Sequence, residues 1–78
     1  MAVEARLTFE YTKAGVAADV ARLLQVDNEI APRNLEVQTT AENNHVITKI
    51  KSSRGKTVFA TLDDVVFSEK LISEILNI

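Results

Sequence analysis

The sequence predicts an α+β domain of order βαββα, a three-stranded antiparallel sheet with two helices packed on one face. Three observations lead there: stretches that alternate apolar and polar residues, an Asn-containing turn joining two of them, and two helical apolar stripes. Helices gathered on one side of a small antiparallel sheet let each layer bury the other's apolar face. With 78 residues and no repeat, linker or low-complexity segment, one domain spanning 1–78 is expected.

The first strand is read over residues 3 to 11. Val3, Ala5, Leu7, Phe9 and Tyr11 face one way and Glu4, Arg6, Thr8 and Glu10 the other, the pattern of a half-buried strand. Thr12 then offers an N-cap to a helix over about 13 to 25. Asp27, Asn28, Pro32 and Asn34 mark a connection. Alternation resumes in Leu35, Val37, Thr39 and Ala41, with Glu36, Gln38 and Thr40 opposite. Glu42-Asn43-Asn44-His45 reads as a tight turn, because Asn tolerates positive φ. A third strand over about 46 to 52 sets Val46, Thr48 and Ile50 against Ile47, Lys49 and Lys51. The last helix runs over about 56 to 77, with a kink conceivable near Ser68.

At about 100° per residue, both helices carry more apolar surface than one sheet face needs. On the first, Val16, Val20, Leu23 and Leu24 form the expected core face, flanked by Ala14, Ala17, Ala18 and Ala21. Those alanines serve helix propensity or a close approach of another helix, and the sequence is compatible with either. On the second, Val58, Leu62, Val65, Val66, Ile72 and Leu76 form the expected core stripe, with Phe59 at its margin. Ala60, Phe67 and Leu71 lie roughly opposite, bordered by Asp63, Asp64, Lys70 and Glu74. Exposed apolar residues rimmed by charge have the anatomy of a partner site; a kink that turns Phe67 inward is the other reading.

Reactive chemistry is sparse, and a protein-interaction module rather than an enzyme is expected. Cysteine is absent and His45 is the single histidine, so neither disulfides nor thiolate metal sites are available and no metal or cofactor is implied. Asp63 and Asp64 are neighbours on a helix and point about 100° apart, which prevents them from sharing a proton. Ser52, Ser53, Ser68 and Ser73 have no general base besides His45 on the hairpin. Arg54-Gly55-Lys56-Thr57 resembles the end of a phosphate-binding loop, but the required earlier glycine is Ile50. A small chain without disulfides or metal gains stability by oligomerising, which also favours a protein that works in company.

Apolar residues make up 46% and charged residues 26% of the chain, ordinary for a folded domain. No apolar run approaches the ~20 residues of a membrane span, and a secretory signal is not evident, so a cytoplasmic protein without membrane contact is expected. The net charge of -2 disfavours an autonomous nucleic-acid binder. Lys49, Lys51, Arg54 and Lys56 nevertheless cluster; they form a solvated edge or touch the phosphates of an RNA held by a larger partner. The alternative function is a KH-like RNA-binding domain acting alone. Its Gly-x-x-Gly loop is missing, since the two glycines are Gly15 and Gly55.

Three segments resemble one family, the small dimerisation subunit of the KEOPS complex. They are Leu24-Gln25-Val26-Asp27-Asn28-Glu29 after the first helix, the stretch from Asn44 to Ser52, and Phe59-Ala60-Thr61-Leu62-Asp63-Asp64-Val65-Val66 in the last helix. The resemblance extends over nearly the whole chain. It implies the same βαββα fold and a non-catalytic adaptor that bridges two catalytic subunits. The complex places threonylcarbamoyl on adenosine in tRNA. By position, the catalytic-subunit contact would use Ala14, Ala18 and Ala21 of the first helix and Ala60, Asp64, Phe67 and Leu71 of the second. The dimer contact, with an identical chain or a paralogue, would use Arg6, Thr8, Ile47 and Lys49, and tRNA phosphates would meet Lys51, Arg54 and Lys56. Val26, where the family often has Pro, and Phe59, near a position often basic, depart from its pattern.

Overall fold

Each alternating stretch becomes an eight-residue strand, and each apolar stripe a helix packed on the resulting sheet. A computed structural model describes residues 2–28 and 34–77. The elements are β1 (Val3–Glu10), α1 (Ala14–Asn28), β2 (Leu35–Glu42), β3 (His45–Ser52) and α2 (Gly55–Leu76). The sheet order is β1-β3-β2 and both pairings are antiparallel, so α1 carries the chain from one sheet edge to the other.

The turn between β2 and β3 comes out as read, with Asn43 at φ 55° and Glu42 paired to His45. That register fixes which side chains share a face. Val46, Thr48, Ile50 and Ser52 point to the helices, and His45, Ile47, Lys49 and Lys51 point to the open face. Beneath α1 the buried hydroxyls of Thr39 and Thr48 hydrogen-bond at 2.9 Å, which satisfies a polar pair inside an apolar layer.

The helix boundaries shift slightly from expectation. The carbonyl of Lys13 accepts the N–H of Ala17, so Lys13 rather than Thr12 holds the capping position of α1. At the other end α1 runs on through Asp27 and Asn28. Pro32, read as part of the connection, lies outside the described residues. Helix α2 passes Ser68 without interruption, so no break separates its halves. It ends on Asn77 in the left-handed conformation, which Asn adopts at low cost.

Both helical core faces are rotated from the expected ones. On α1 the buried residues are Ala17, Val20, Ala21 and Leu24, whereas Leu23 is exposed. Their i, i+3, i+4, i+7 spacing is a regular helical stripe, and the two alanines let the α1 backbone approach the sheet closely. On α2 only Val58, Val65 and Ile72, spaced by seven, are buried. Val66, Leu76 and Phe59, expected in or beside the core, are exposed. A long helix touching a sheet on one line buries a narrow seam. Val66 and Phe59, roughly 80–100° round from Val58, do not reach it, while Leu76 lies in line with the seam at the very end of α2. The core divides into one cluster of Ala17, Val20, Ala21, Leu24, Val46 and Ile72, and a second of Ile50, Val58 and Val65.

A polar latch ties β1 to α2 across the chain. Tyr11 Oη donates to Glu69 Oε2 at 2.5 Å, and Ser73 Oγ donates to the same oxygen at 2.7 Å. Burial, then the Glu69 carboxylate, which accepts the phenol proton and would repel a phenolate, holds Tyr11 well above its usual value near 10; the Ser73 bond opposes this. Because the folded-state value is the raised one, this contribution is complete below pH 10 and fades as pH rises through it. We predict that Tyr11→Phe lowers stability by about 1–2 kcal/mol near neutrality, a charge-assisted hydrogen bond discounted for partial exposure. Urea unfolding at pH 8 and pH 11 checks this: the gap between wild type and variant should narrow at the higher pH. A constant gap would mean that the hydroxyl is not what stabilises the wild type.

Candidate protein-interaction site

Among the described residues, no group of three His, Asp or Glu side chains is placed to hold a metal ion. What the described surface offers instead is apolar area on α2. Ala60, Asp64, Phe67 and Leu71 share one face of that helix, as their spacing of four, three and four requires. Phe67 is 62% exposed and Leu71 44%. The face continues to Ile75, which at 80% is more exposed still. Sequence reasoning missed Ile75, although its position four residues after Leu71 is the signal that would have found it. Rotation about the helix axis keeps Phe67, Leu71 and Ile75 away from the Val58–Val65–Ile72 seam. Asp63, Asp64, Lys70 and Glu74 border them and are all exposed.

The α1 contribution is smaller than expected. Ala14 and Ala18 are exposed, but Ala21 is 7% exposed and belongs to the core, so it leaves the candidate surface. Its place on the helix is the physical reason: Ala21 lies four residues after Ala17 and three before Leu24, inside the same buried stripe as Val20. Ala14 and Ala18 also lie on the flank of α1 that carries Gln25, whose Oε1 accepts the N–H of Thr39 on β2. The opposite flank carries exposed Leu23 and half-buried Val16, which packs against the cluster containing Ile72 of α2. Leu23, rather than the alanines, is therefore the exposed apolar residue of α1 on the side of the α2 stripe.

The four residues expected at a dimer contact do come together on the open face. Arg6 pairs with Lys49 and Thr8 with Ile47 in successive cross-strand rows. Ile47 is already 7% exposed in the single chain, flanked by Thr8 on β1 and Thr40 on β2. Lys51 lies on the same face, between Glu4 and Glu36. Arg54 and Lys56 stand at the start of α2, both exposed. His45 closes the last row, with Nε2 3.7 Å from Glu10.

No protein-family model matches the chain, and no curated protein matches its sequence. Among solved structures it is similar to a chain of the crystal structure of the Gon7–Pcc1 binary complex. The TM-score is 0.84, with 17% sequence identity over 96% of this chain and 93% of that one. At this identity the likeness is one of fold, and it matches the observed β1-β3-β2 sheet with two helices on one face.

Proposed function

We propose that this chain is a non-catalytic dimerisation and adaptor subunit of the KEOPS complex. In this reading it bridges two copies of the catalytic subunit and supports threonylcarbamoylation of adenosine in tRNA. The observation that carries the reading is the unpartnered Phe67–Leu71–Ile75 stripe on a fold whose two helices already share one sheet face. A helix covers its own apolar stripe against the sheet, so a second stripe is covered only by another molecule. Helices of the catalytic subunit would seat on this stripe and on Leu23, with Asp64 and Ala60 within the contact and Ala14 and Ala18 at its far margin. The fold shared with a chain of the Gon7–Pcc1 complex and the three resembling segments support this assignment. Lys51, Arg54 and Lys56 are the side chains through which the chain would engage tRNA phosphates within the assembly.

The test is reconstitution. Mixing the purified chain with the catalytic subunit should give a stoichiometric complex by size-exclusion chromatography with light scattering. A folded chain that stays monomeric and leaves the catalytic subunit unbound would defeat the proposal. Tight, salt-sensitive tRNA binding by the isolated chain would instead favour the RNA-binding alternative.

A further inference from the structure

Helix α2 is held to the sheet unevenly along its length. Its first half is seated by Val58, Leu62 and Val65 in the cluster around Ile50, against Ala5, Leu7 and Val37. After Val65 the one buried side chain of α2 is Ile72, while Val66, Phe67, Leu71, Ile75 and Leu76 are exposed. A single buried side chain is a weak hold on residues 66–76, about three helical turns. Those turns carry Phe67, Leu71 and Ile75, the apolar residues of the candidate stripe.

The Tyr11–Glu69 latch holds these same turns from behind. Glu69 and Ser73 stand either side of Leu71 in sequence, on a flank roughly 120–160° round the helix from Phe67 and Leu71. Tyr11 Oη reaches Glu69 Oε2 from the sheet, and the Ser73 hydroxyl, donating to the same oxygen, keeps that carboxylate in place. Tyr11 is itself pinned to the β2–β3 turn. Its N–H donates to the Asn44 carbonyl at 2.8 Å, and the Asn44 side-chain amide donates to the Tyr11 carbonyl at 2.7 Å. The Tyr11 side chain also packs against the cluster that contains Ile72. The latch therefore ties the C-terminal half of α2 to the hairpin, on the flank turned away from the stripe.

We propose that Tyr11 and Glu69 are positioning residues for partner docking. Their bond holds the C-terminal half of α2 on the sheet before the partner arrives, so that Phe67, Leu71 and Ile75 are presented together. This deepens the adaptor reading above and rests on it. A stripe that is already ordered costs its partner less than one that must first be drawn back to the sheet. Unlatched, residues 66–76 keep only Ile72 and swing away from the sheet in part of the population. Tyr11 lies on the far flank from the stripe, so it acts on the partner only through the helix.

Titration calorimetry with the catalytic subunit and native-state hydrogen exchange test this together. Tyr11→Phe should bind about three- to tenfold more weakly, in proportion to the share of chains left latched. The measurement is made at a temperature where circular dichroism shows the variant folded, so a loss of global stability alone would leave the affinity unchanged. In the same variant the amides of 68–76 should lose most of their protection, in an opening with little urea dependence that leaves those of 58–65 closed. Glu69→Gln, whose carbonyl still accepts both hydroxyls, should keep most of the affinity, whereas Glu69→Ala should not. Ser73→Ala, a milder change, should act in the direction of Tyr11→Phe. Wild-type affinity in Tyr11→Phe would overturn the proposal, as would amides of 68–76 that exchange only together with those of 58–65. Weak binding by Glu69→Gln beside a silent Tyr11→Phe would make Glu69 a direct contact and overturn it too. A wild-type chain that does not bind the catalytic subunit would overturn the adaptor reading itself.

Discussion

Phe67→Asp should abolish capture of the catalytic subunit while leaving the fold and the dimer unchanged. Phe67 lies centrally in the exposed stripe, between Asp64 and Leu71 on one face of α2, and most of its surface is free of the protein's own core. Buried aromatic anchors at the middle of an interface often contribute 2 kcal/mol or more, so affinity should fall by roughly thirtyfold or beyond. A carboxylate there would also be desolvated by the partner without a counter-charge, which deepens the loss. Substitution at an exposed position changes folding stability by only about 0.5 kcal/mol. Isothermal titration with the catalytic subunit, alongside thermal unfolding, separates the two effects. Unchanged affinity would mean that the stripe is not the contact. Ile75→Asp should act in the same direction, because it extends the same face.

Leu24→Ala should unfold much of the protein at low concentration. Leu24 is fully buried between α1 and the sheet, in the cluster with Val20, Val46 and Ile72. Truncating such a residue costs about 2–5 kcal/mol through lost burial and the cavity left behind. A domain of 78 residues has about 4–12 kcal/mol in total. The variant therefore loses a large share of its stability, visible as a lower urea midpoint with an unchanged slope. Leu23→Ala, one residue earlier, should be nearly silent, because Leu23 faces solvent. That contrast tests the observed rotation of α1: equal costs at both positions would contradict it.

The legible part of this fold is periodic and local. Alternation at 3–11, 35–41 and 46–52 gave the strands, and the Asn43-Asn44 turn gave the register that gathers Arg6, Thr8, Ile47 and Lys49 on one face. The candidate stripe on α2 was legible for the same reason, because Phe67 and Leu71 are too far around the helix from Val58 and Val65 to share their seam. Ala21 was placed wrongly because α1 has apolar residues on more than half its circumference. With Val16, Leu23 and four alanines flanking Val20 and Leu24, side-chain size favoured the Val16–Leu23 side. The sheet covered the Ala17–Ala21 side together with Val20 and Leu24, leaving Leu23 exposed.

The sequence by itself determined the order βαββα, the two faces of each strand, the hairpin and the presence of an apolar stripe surplus to the core. Each of these follows from a repeat of two or 3.6 residues, or from a residue that tolerates positive φ, and is encoded within a few positions. Only the tertiary structure decided the strand order β1-β3-β2, the rotation of α1, and the Tyr11–Glu69 latch across 58 positions of sequence. It also decided that Gln25 of α1 accepts the Thr39 N–H on the β2 edge. These depend on which elements become neighbours, and a helix with two apolar flanks carries no local record of which one the sheet will cover.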